Sequence, residues 1–278
     1  MFSDITAQKK PIISKFDFDT NATYLIKLKD ESIFTGNFIS KRDSILTFSS
    51  KSTKFEVTLS DIESVSVVDP SRFVKGKYWF PNPHHTRYLF SPSAFNLKKG
   101  EGYFQNIYGT ANSINYGITD HFTLGAGTEL ISLFSCFPIL VATPKFGGYD
   151  IGTKLKAGGG ALLALTEEGV LGIGYGIVTQ GTEDKNITVG LGWAFSSEGD
   201  LETKPVATIS GMIRIKKNIA LISENWLIPF DGYRPFFSYG LRFFGERMSV
   251  DLALINSPEI ARDVIAIGFP FVDFVYKF

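Results

Sequence analysis

The sequence is poor in the residues from which reactive sites are usually built. Cysteine occurs once, at Cys136, so no intramolecular disulfide can form and a cysteine-based zinc cluster is excluded. Histidine occurs three times, at His84, His85 and His121. His84 and His85 are neighbours, so on a strand they face opposite ways and cannot share one metal ion. No run of about 18 apolar residues is present, which removes a membrane-spanning helix. Charge of one sign is not in excess either, with 28 Lys and Arg against 28 Asp and Glu. Without a basic field, a nucleic-acid partner is not expected. Gly158, Gly159 and Gly160 form a short glycine run, but inside a strand pattern and without the surroundings of a phosphate-binding loop, so no cofactor is expected.

Phenylalanine and glycine are plentiful, at 26 and 27 residues. That pair of abundances points to close-packed strands. Two textures follow one another along the chain. Residues 20–69 hold five short apolar segments: Tyr24–Leu28, Ser32–Ile39, Ser44–Phe48, Lys54–Leu59 and Val65–Val68. Gly36 falls where a strongly bent strand needs a residue without a side chain. Asp69-Pro70 marks a boundary, and the basic-aromatic stretch through Lys75, Lys77, Tyr78 and Trp79 reads as a connector.

Beyond it the segments lengthen and alternate with a period of two, as half-buried strands do. They are Tyr78–Ser91, Tyr103–Ile118, Phe122–Leu133, Ile139–Tyr149, Lys154–Leu165, Val170–Thr179, Ile187–Phe195, Val206–Ile215, Ile219–Ile228, Phe236–Phe244, Met248–Ile255 and Val264–Phe278. The first is interrupted by Pro81 and Pro83 and is the least regular. In the last, Phe269, Pro270 and Phe271 break the alternation, which suggests a bulge. Tight connections, such as Lys216–Asn218 and Gly245–Arg247, alternate with longer ones, such as Ser197–Lys204 and Asn256–Asp263. The expected fold is therefore all-β: a 12-stranded antiparallel transmembrane β-barrel over 78–278, after a small β unit at 20–69 and a connector at 70–77.

If the apolar face meets lipid, the other face lines the barrel. It would carry Gly172, Gly174, Gly176, Thr188, Ser210 and Ser238, together with Lys277 and the interior charges Glu129, Lys154, Lys156, Arg214, Glu224, Arg242, Asp251 and Asp273. Charges of both signs in a confined interior should pair, because an unpaired buried charge is costly. The polar cluster Ser223-Glu224-Asn225-Trp226 is expected to turn inward and pair with Arg214 or Arg242. Two readings of the interior stay open: a lumen plugged by its own side chains, and a narrow polar channel.

The ending, with Phe274, Tyr276 and Phe278 on alternate positions, resembles the terminal-Phe strand that the assembly machinery of bacterial outer-membrane proteins recognises. Asn115-Tyr116-Gly117-Ile118-Thr119-Asp120 and Leu221-Ile222-Ser223-Glu224-Asn225-Trp226 are similar to phrases in outer-membrane barrels of Bacteroidota-type bacteria. Residues 20–69, with Asp30-Glu31-Ser32, Phe34-Thr35-Gly36 and Leu59-Ser60-Asp61-Ile62, resemble Sm-like and SH3-like folds. These resemblances imply an outer-membrane location, lipid contact and an assembly signal at Phe274, Tyr276 and Phe278. The short turns and both termini would then be periplasmic. Ile5-Thr6-Ala7 before Gln8 looks like the tail of a signal peptide, which would make residues 1–19 its remnant and a linker.

The expected function is non-enzymatic. It is a structural or accessory subunit of an outer-membrane complex, active in protein assembly or export and docking outer-membrane or periplasmic proteins through the small domain. A narrow polar channel for small solutes is the alternative. A lipid hydrolase, with His84 or His85 meeting a serine such as Ser113, is a third possibility that no motif fixes.

Overall fold

The computed structural model describes residues 18–50, 53–74, 77–132, 138–167, 169–197, 199, 204–229, 232–263 and 265–278. Cys136 and the signal-like Ile5–Gln8 lie outside these residues. The chain divides between Phe80 and Pro81 into two compact units.

The first unit is one sheet of five antiparallel strands: β1 (Thr23–Leu28), β2 (Ile33–Arg42), β3 (Ile45–Ser50), β4 (Thr53–Thr58) and β5 (Ile62–Val68). Their order across the sheet is β4-β3-β2-β1-β5. Alternate side chains on one face, Tyr24, Ile26, Leu46, Phe48 and Val57, are buried together with Ile62. A single 3-10 turn at Leu59–Asp61 carries the chain from β4 to β5. The described strands form a sheet with β4 and β5 at its ends, not a closed barrel. A small hairpin of β6 (Phe73–Val74) and β7 (Lys77–Tyr78) follows.

The second unit is a closed barrel of twelve antiparallel strands. They are β8 (Gly102–Ile107), β9 (Ala111–Thr119), β10 (Phe122–Glu129), β11 (Leu140–Gly152), β12 (Leu155–Thr166), β13 (Gly169–Thr182), β14 (Lys185–Ser196), β15 (Val206–Lys216), β16 (Ile219–Pro229), β17 (Tyr233–Phe244), β18 (Met248–Asn256) and β19 (Phe269–Lys277). A short helix, α1 (Pro258–Asp263), lies in the connection before β19. Each strand pairs with its neighbours in sequence, and β19 pairs with β8 to close the ring. Two reciprocal backbone bonds seal that seam, Gly102 N–H to the Phe278 carbonyl at 3.1 Å and Phe278 N–H to the Gly102 carbonyl at 2.9 Å. Phe278 thus extends the closing pair past the last residue of β19.

Twelve strands were expected, but two segments differ in identity. Tyr103–Ile118 is not one strand. It is the hairpin β8–β9, turned at Tyr108 and Gly109, whose φ angles of 53° and 78° reverse the chain there. Tyr78–Ser91 supplies no barrel strand. From Pro81 onward the chain enters the barrel interior, and the prolines that interrupted its alternation explain why it cannot join a ladder. Nor does β19 bulge: its register with β18 runs without a shift from Ile255↔Phe269 to Met248↔Tyr276. Pro270, which has no N–H to donate, is tolerated there.

Faces are set by register, since residues opposite one another in an antiparallel pair share a side. On β14, Ile187, Val189, Leu191 and Trp193 are exposed on the outside while Asn186 and Thr188 are buried inside. The same outer face carries Leu221, Leu227, Phe237, Tyr239, Phe243, Leu252 and Val272 around the ring. A continuous apolar exterior on a sheet without edges is solvated by lipid, not water. Ser223 and Asn225 also fall on this outer face of β16, with their polar groups tied to the Ser238 and Ile209 carbonyls at 2.9 and 3.1 Å. On β13 the expected assignment is inverted. Gly174 pairs with outward Trp193 and Tyr175 with inward Gly192. Gly172, Gly174 and Gly176 therefore face lipid, while Tyr175 and Ile177 fill space inside.

One inward glycine sets a strand spacing. A Cβ built on Gly240 of β17 would lie 2.5 Å from the Cβ of Ala253 on β18, and closer still to the Leu252 carbonyl oxygen. Backbone cannot yield cheaply there. Gly240→Val is expected to cost about 1–3 kcal/mol, read as a lower denaturation midpoint of the folded barrel in detergent. An unchanged midpoint would show that β17 and β18 can spread at no cost.

Candidate functional site: a lumen closed by an inner hairpin

Residues 81–97 run inside the barrel and are mostly buried. Their centre is a tight hairpin in which Tyr88 N–H meets the Ser91 carbonyl at 2.9 Å and Ser93 N–H meets Thr86 at 3.0 Å. A main chain placed in a lumen brings polar groups that must be satisfied there. Three charged side chains of the wall supply much of what is needed.

Glu224 of β16 is fully buried and takes the tip. One of its carboxylate oxygens accepts the N–H groups of Leu89, Phe90 and Ser91 at 2.8, 3.0 and 2.9 Å. The other accepts from Trp226 Nε1 at 2.7 Å. The expected partners, Arg214 and Arg242, are not those found. Arg214 sits near the strand ends, stacked over Phe244 and paired with Asp184 at 2.9 Å. Arg242 of β17 grips Asp251 of β18 through Nε and Nη2, both at 2.7 Å. It also donates to the hairpin carbonyls of His84 at 2.9 Å and Tyr88 at 2.7 Å. Lys145 of β11 donates to the carbonyls of Thr86 and Phe95 at 3.1 and 2.6 Å.

The hairpin adds one cation of its own. Arg87 Nη1 lies 3.0 Å from Asp273 of β19 and 3.3 Å from Asp251. Asp273 also accepts from Gln105 of β8 at 2.7 Å. Arg87, Arg242, Asp251 and Asp273 thus form a buried network of two cations and two anions, neutral as a set. Uncharged bonds complete the attachment: Tyr88 Oη reaches Asn186 and Thr188 at 2.6 and 2.7 Å, and Ser91 Oγ reaches Ser210 at 2.9 Å.

The remaining sequence-derived charges lie towards the two ends. Glu129 is half-buried and accepts from the N–H groups of Ile131 and Ser132 at 2.9 and 2.8 Å. Lys156 pairs with Asp150 at 2.7 Å, and Lys277 with Glu101 at 3.0 Å. Lys154 is exposed in the β11–β12 turn with φ at 55°, not in the lumen, because a two-residue turn there needs a left-handed residue. Phe274, Tyr276 and Phe278 lie on the outer face of the closing strand.

Among the described residues the histidine rings do not line up with a serine hydroxyl. His84 is 1% exposed, edge-on to Tyr103 with ring centroids 6.1 Å apart. His85 Nδ1 lies 2.9 Å from the Asn82 carbonyl, and its Nε2 lies 4.0 Å from Glu183. Ser113 accepts from Asn115 at 3.4 Å instead. Among the described residues no three histidine, cysteine, aspartate or glutamate side chains are grouped to hold a metal.

Between the hairpin and the end of the barrel where β8 turns into β9 lies a cavity of about 280 Å³. Arg87, Gln105, Asn112, Ser113, Lys145 and Tyr175 are among its lining residues. Arg87 and Lys145 were not singled out from sequence. Arg87 lies in the segment Tyr78–Ser91, which reads as a strand, whereas Lys145 shares the parity of Thr143 in the mostly apolar first half of β11. That parity is a signal for an inward cation.

Scanning the chain against protein-family models finds no match, and searching the curated proteins finds none. Among solved structures, the barrel is similar to the NanC porin (9% identity, TM-score 0.41, 64% of this chain and 97% of that one). It is similar also to the KdgM porin (10% identity, TM-score 0.44, 64% and 95%). A third similar structure is a loop L8 deletion of OmpT, an outer membrane protein of Vibrio cholerae (14% identity, TM-score 0.33, 92% and 96%). At such scores the likeness carries no functional argument, and the geometry of the lumen has to carry it.

Proposed function

We propose that the chain is an outer-membrane barrel containing a narrow polar channel for small solutes, closed at rest by the hairpin around Arg87 to Pro92. One observation carries this reading: the hairpin is held to the wall by charge and hydrogen bonding, through Glu224, Arg242 and Lys145. A permanent filling gains more from apolar packing, because desolvating charges costs about as much as their pairing returns. A polar wall and a polar hairpin can each be solvated once they part. The same contacts that close the lumen therefore leave an aqueous path when they break. Nothing among the described residues favours the accessory-subunit reading, so the channel takes its place. The protein is read as non-enzymatic.

Orientation follows the loop rule. The connections 120–121, 153–154, 183–184, 217–218 and 245–247 are all short and share an end with Gly102 and Phe278, whereas the other end carries the long connections 130–139, 197–205 and 257–268 beside short ones at 108–110, 167–168 and 230–232. Bacterial barrels keep short turns on the periplasmic side, so both termini are assigned there. The strand order β4-β3-β2-β1-β5, with a 3-10 turn before β5, supports an Sm/SH3-like reading of the small unit as a periplasmic domain. Phe274, Tyr276 and Phe278 are assigned as the assembly signal. A Bacteroidota source rests on the sequence phrases alone.

The tip contacts test the channel directly. Glu224→Ala leaves three amide N–H groups of the hairpin without their acceptor, at about 1–3 kcal/mol each. Planar-bilayer recordings should show openings in the variant at least tenfold more often than in the parent. Identical records from two equally folded proteins would count against a separable plug.

A further inference from the structure

The cavity beside the hairpin has a lysine whose ammonium form the protein does not balance. Lys145 is 7% exposed, and its two hydrogen-bond partners are the neutral carbonyls of Thr86 and Phe95. Among the described residues no carboxylate lies within ion-pair distance of it. The four-membered network of Arg87, Arg242, Asp251 and Asp273 is already neutral, so it has no anion to spare. Glu224 is committed to the hairpin tip, and Glu129 is bound by the amides of Ile131 and Ser132. A buried ammonium without an anion is expensive.

Donors are in surplus at the same place. Arg87 is 4% exposed and lines the cavity, and its Nε and Nη2 have no hydrogen-bond partner among the described residues. Lys145 makes two hydrogen bonds and has three donors. Beyond these cations the lining is mostly apolar, with Ile139, Val141, Leu162 and the ring of Tyr175, beside polar side chains that include Asn112, Thr128 and Glu129, whose carboxylate is held by the Ile131 and Ser132 amides. A cationic floor below apolar walls suits a small molecule with a carboxylate at one end and an apolar body at the other.

We propose that this cavity binds a small organic carboxylate, its anionic end at Lys145 and Arg87 and its apolar body between the side chains of β11, β12 and β13. The site deepens the channel reading by naming a class of solute, and it rests on that reading only for the route by which the ligand enters.

Isothermal titration of the full-length protein in detergent tests it, with benzoate and its uncharged isostere benzamide as probes. Benzoate should bind saturably, and benzamide at least tenfold more weakly. Lys145→Met should weaken benzoate at least tenfold, while Lys145→Arg, which keeps the cation, should bind within about threefold of the parent. Heat-modifiable migration on gels confirms that each variant holds a folded barrel; if Lys145→Met does not fold, Lys145→Arg and the probe pair decide. Equal affinity for benzoate and benzamide, or no saturable benzoate binding by the folded parent, would overturn the site. Conductance of Glu224→Ala separates this from the channel reading: if that variant opens while the folded parent does not bind benzoate, only the carboxylate site is lost, and if the parent binds benzoate while the variant stays as silent as the parent, only the channel is lost.

Discussion

Arg242→Met is expected to lower the unfolding free energy of the barrel by about 3–5 kcal/mol, the scale for breaking a buried ion pair from one side. Arg242 and Asp251 are each fully buried and share two bonds of 2.7 Å. Removing the guanidinium strands Asp251 with Arg87 alone, at 3.3 Å. It also takes the donors away from the carbonyls of His84 and Tyr88, so the hairpin loses part of its anchorage in the same step. The double variant Arg242→Met with Asp251→Leu removes the stranded charge and should recover most of the loss, because replacing a buried pair by apolar residues is often close to neutral. A denaturant series on the single and double variants gives the coupling energy. A single-variant loss below about 1 kcal/mol would mean that water already solvates this pair and that the network does not organise the lumen.

The result also bears on what kind of interior this is. Charges on the wall bind main-chain groups of the hairpin more than its side chains. Glu224 reads three successive N–H groups, and Arg242 reads carbonyls on the way in. Contacts of that kind depend on the path of the hairpin and little on its side chains. Conservative substitutions at Leu89 and Phe90 should therefore leave closure intact, whereas single changes at Glu224 of β16 or Arg242 of β17 should not.

The sheet was legible because a period of two is hard to disguise. Ile187, Val189, Leu191 and Trp193 against Asn186, Thr188, Gly190 and Gly192 leave one strand and one outer face. The strand number came out at twelve through two errors that offset one another. Tyr103–Ile118 hid a turn, because Tyr108 takes a left-handed conformation that its side chain does not advertise, and Gly109 alone is a weak turn signal. Tyr78–Ser91 has the length of a strand, and Pro81 and Pro83 are the only marks in it against one.

Faces were harder than strands. On β13 the bulky residues point inward and the glycines outward, and only the register with β14 decides this. Alternation shows that two faces differ, not which one is wet. The inward charges Glu224, Arg242, Asp251 and Asp273 could be chosen from sequence, but their partners could not. Glu224 is satisfied by backbone amides more than 130 residues away, and backbone amides leave no mark in a sequence. The cavity was illegible for the same reason, since it exists only where the hairpin stops short of the wall.

Removing the hairpin itself should have the largest functional effect. With residues 84–94 replaced by a flexible glycine-serine linker of equal length, the ring still closes through β8 and β19, since Gly102 and Phe278 lie outside the exchanged segment. The wall then presents Glu224, Arg242, Asp251, Lys145, Thr188 and Ser210 to water, a lining of mixed charge that ions can cross. The decisive measurement is planar-bilayer conductance of the parent and this variant, each shown to be folded by heat-modifiable migration. The parent should be silent or open only briefly, and the variant should carry a steady current. A folded variant as silent as the parent would contradict the account, for the hairpin would then not be what closes the lumen.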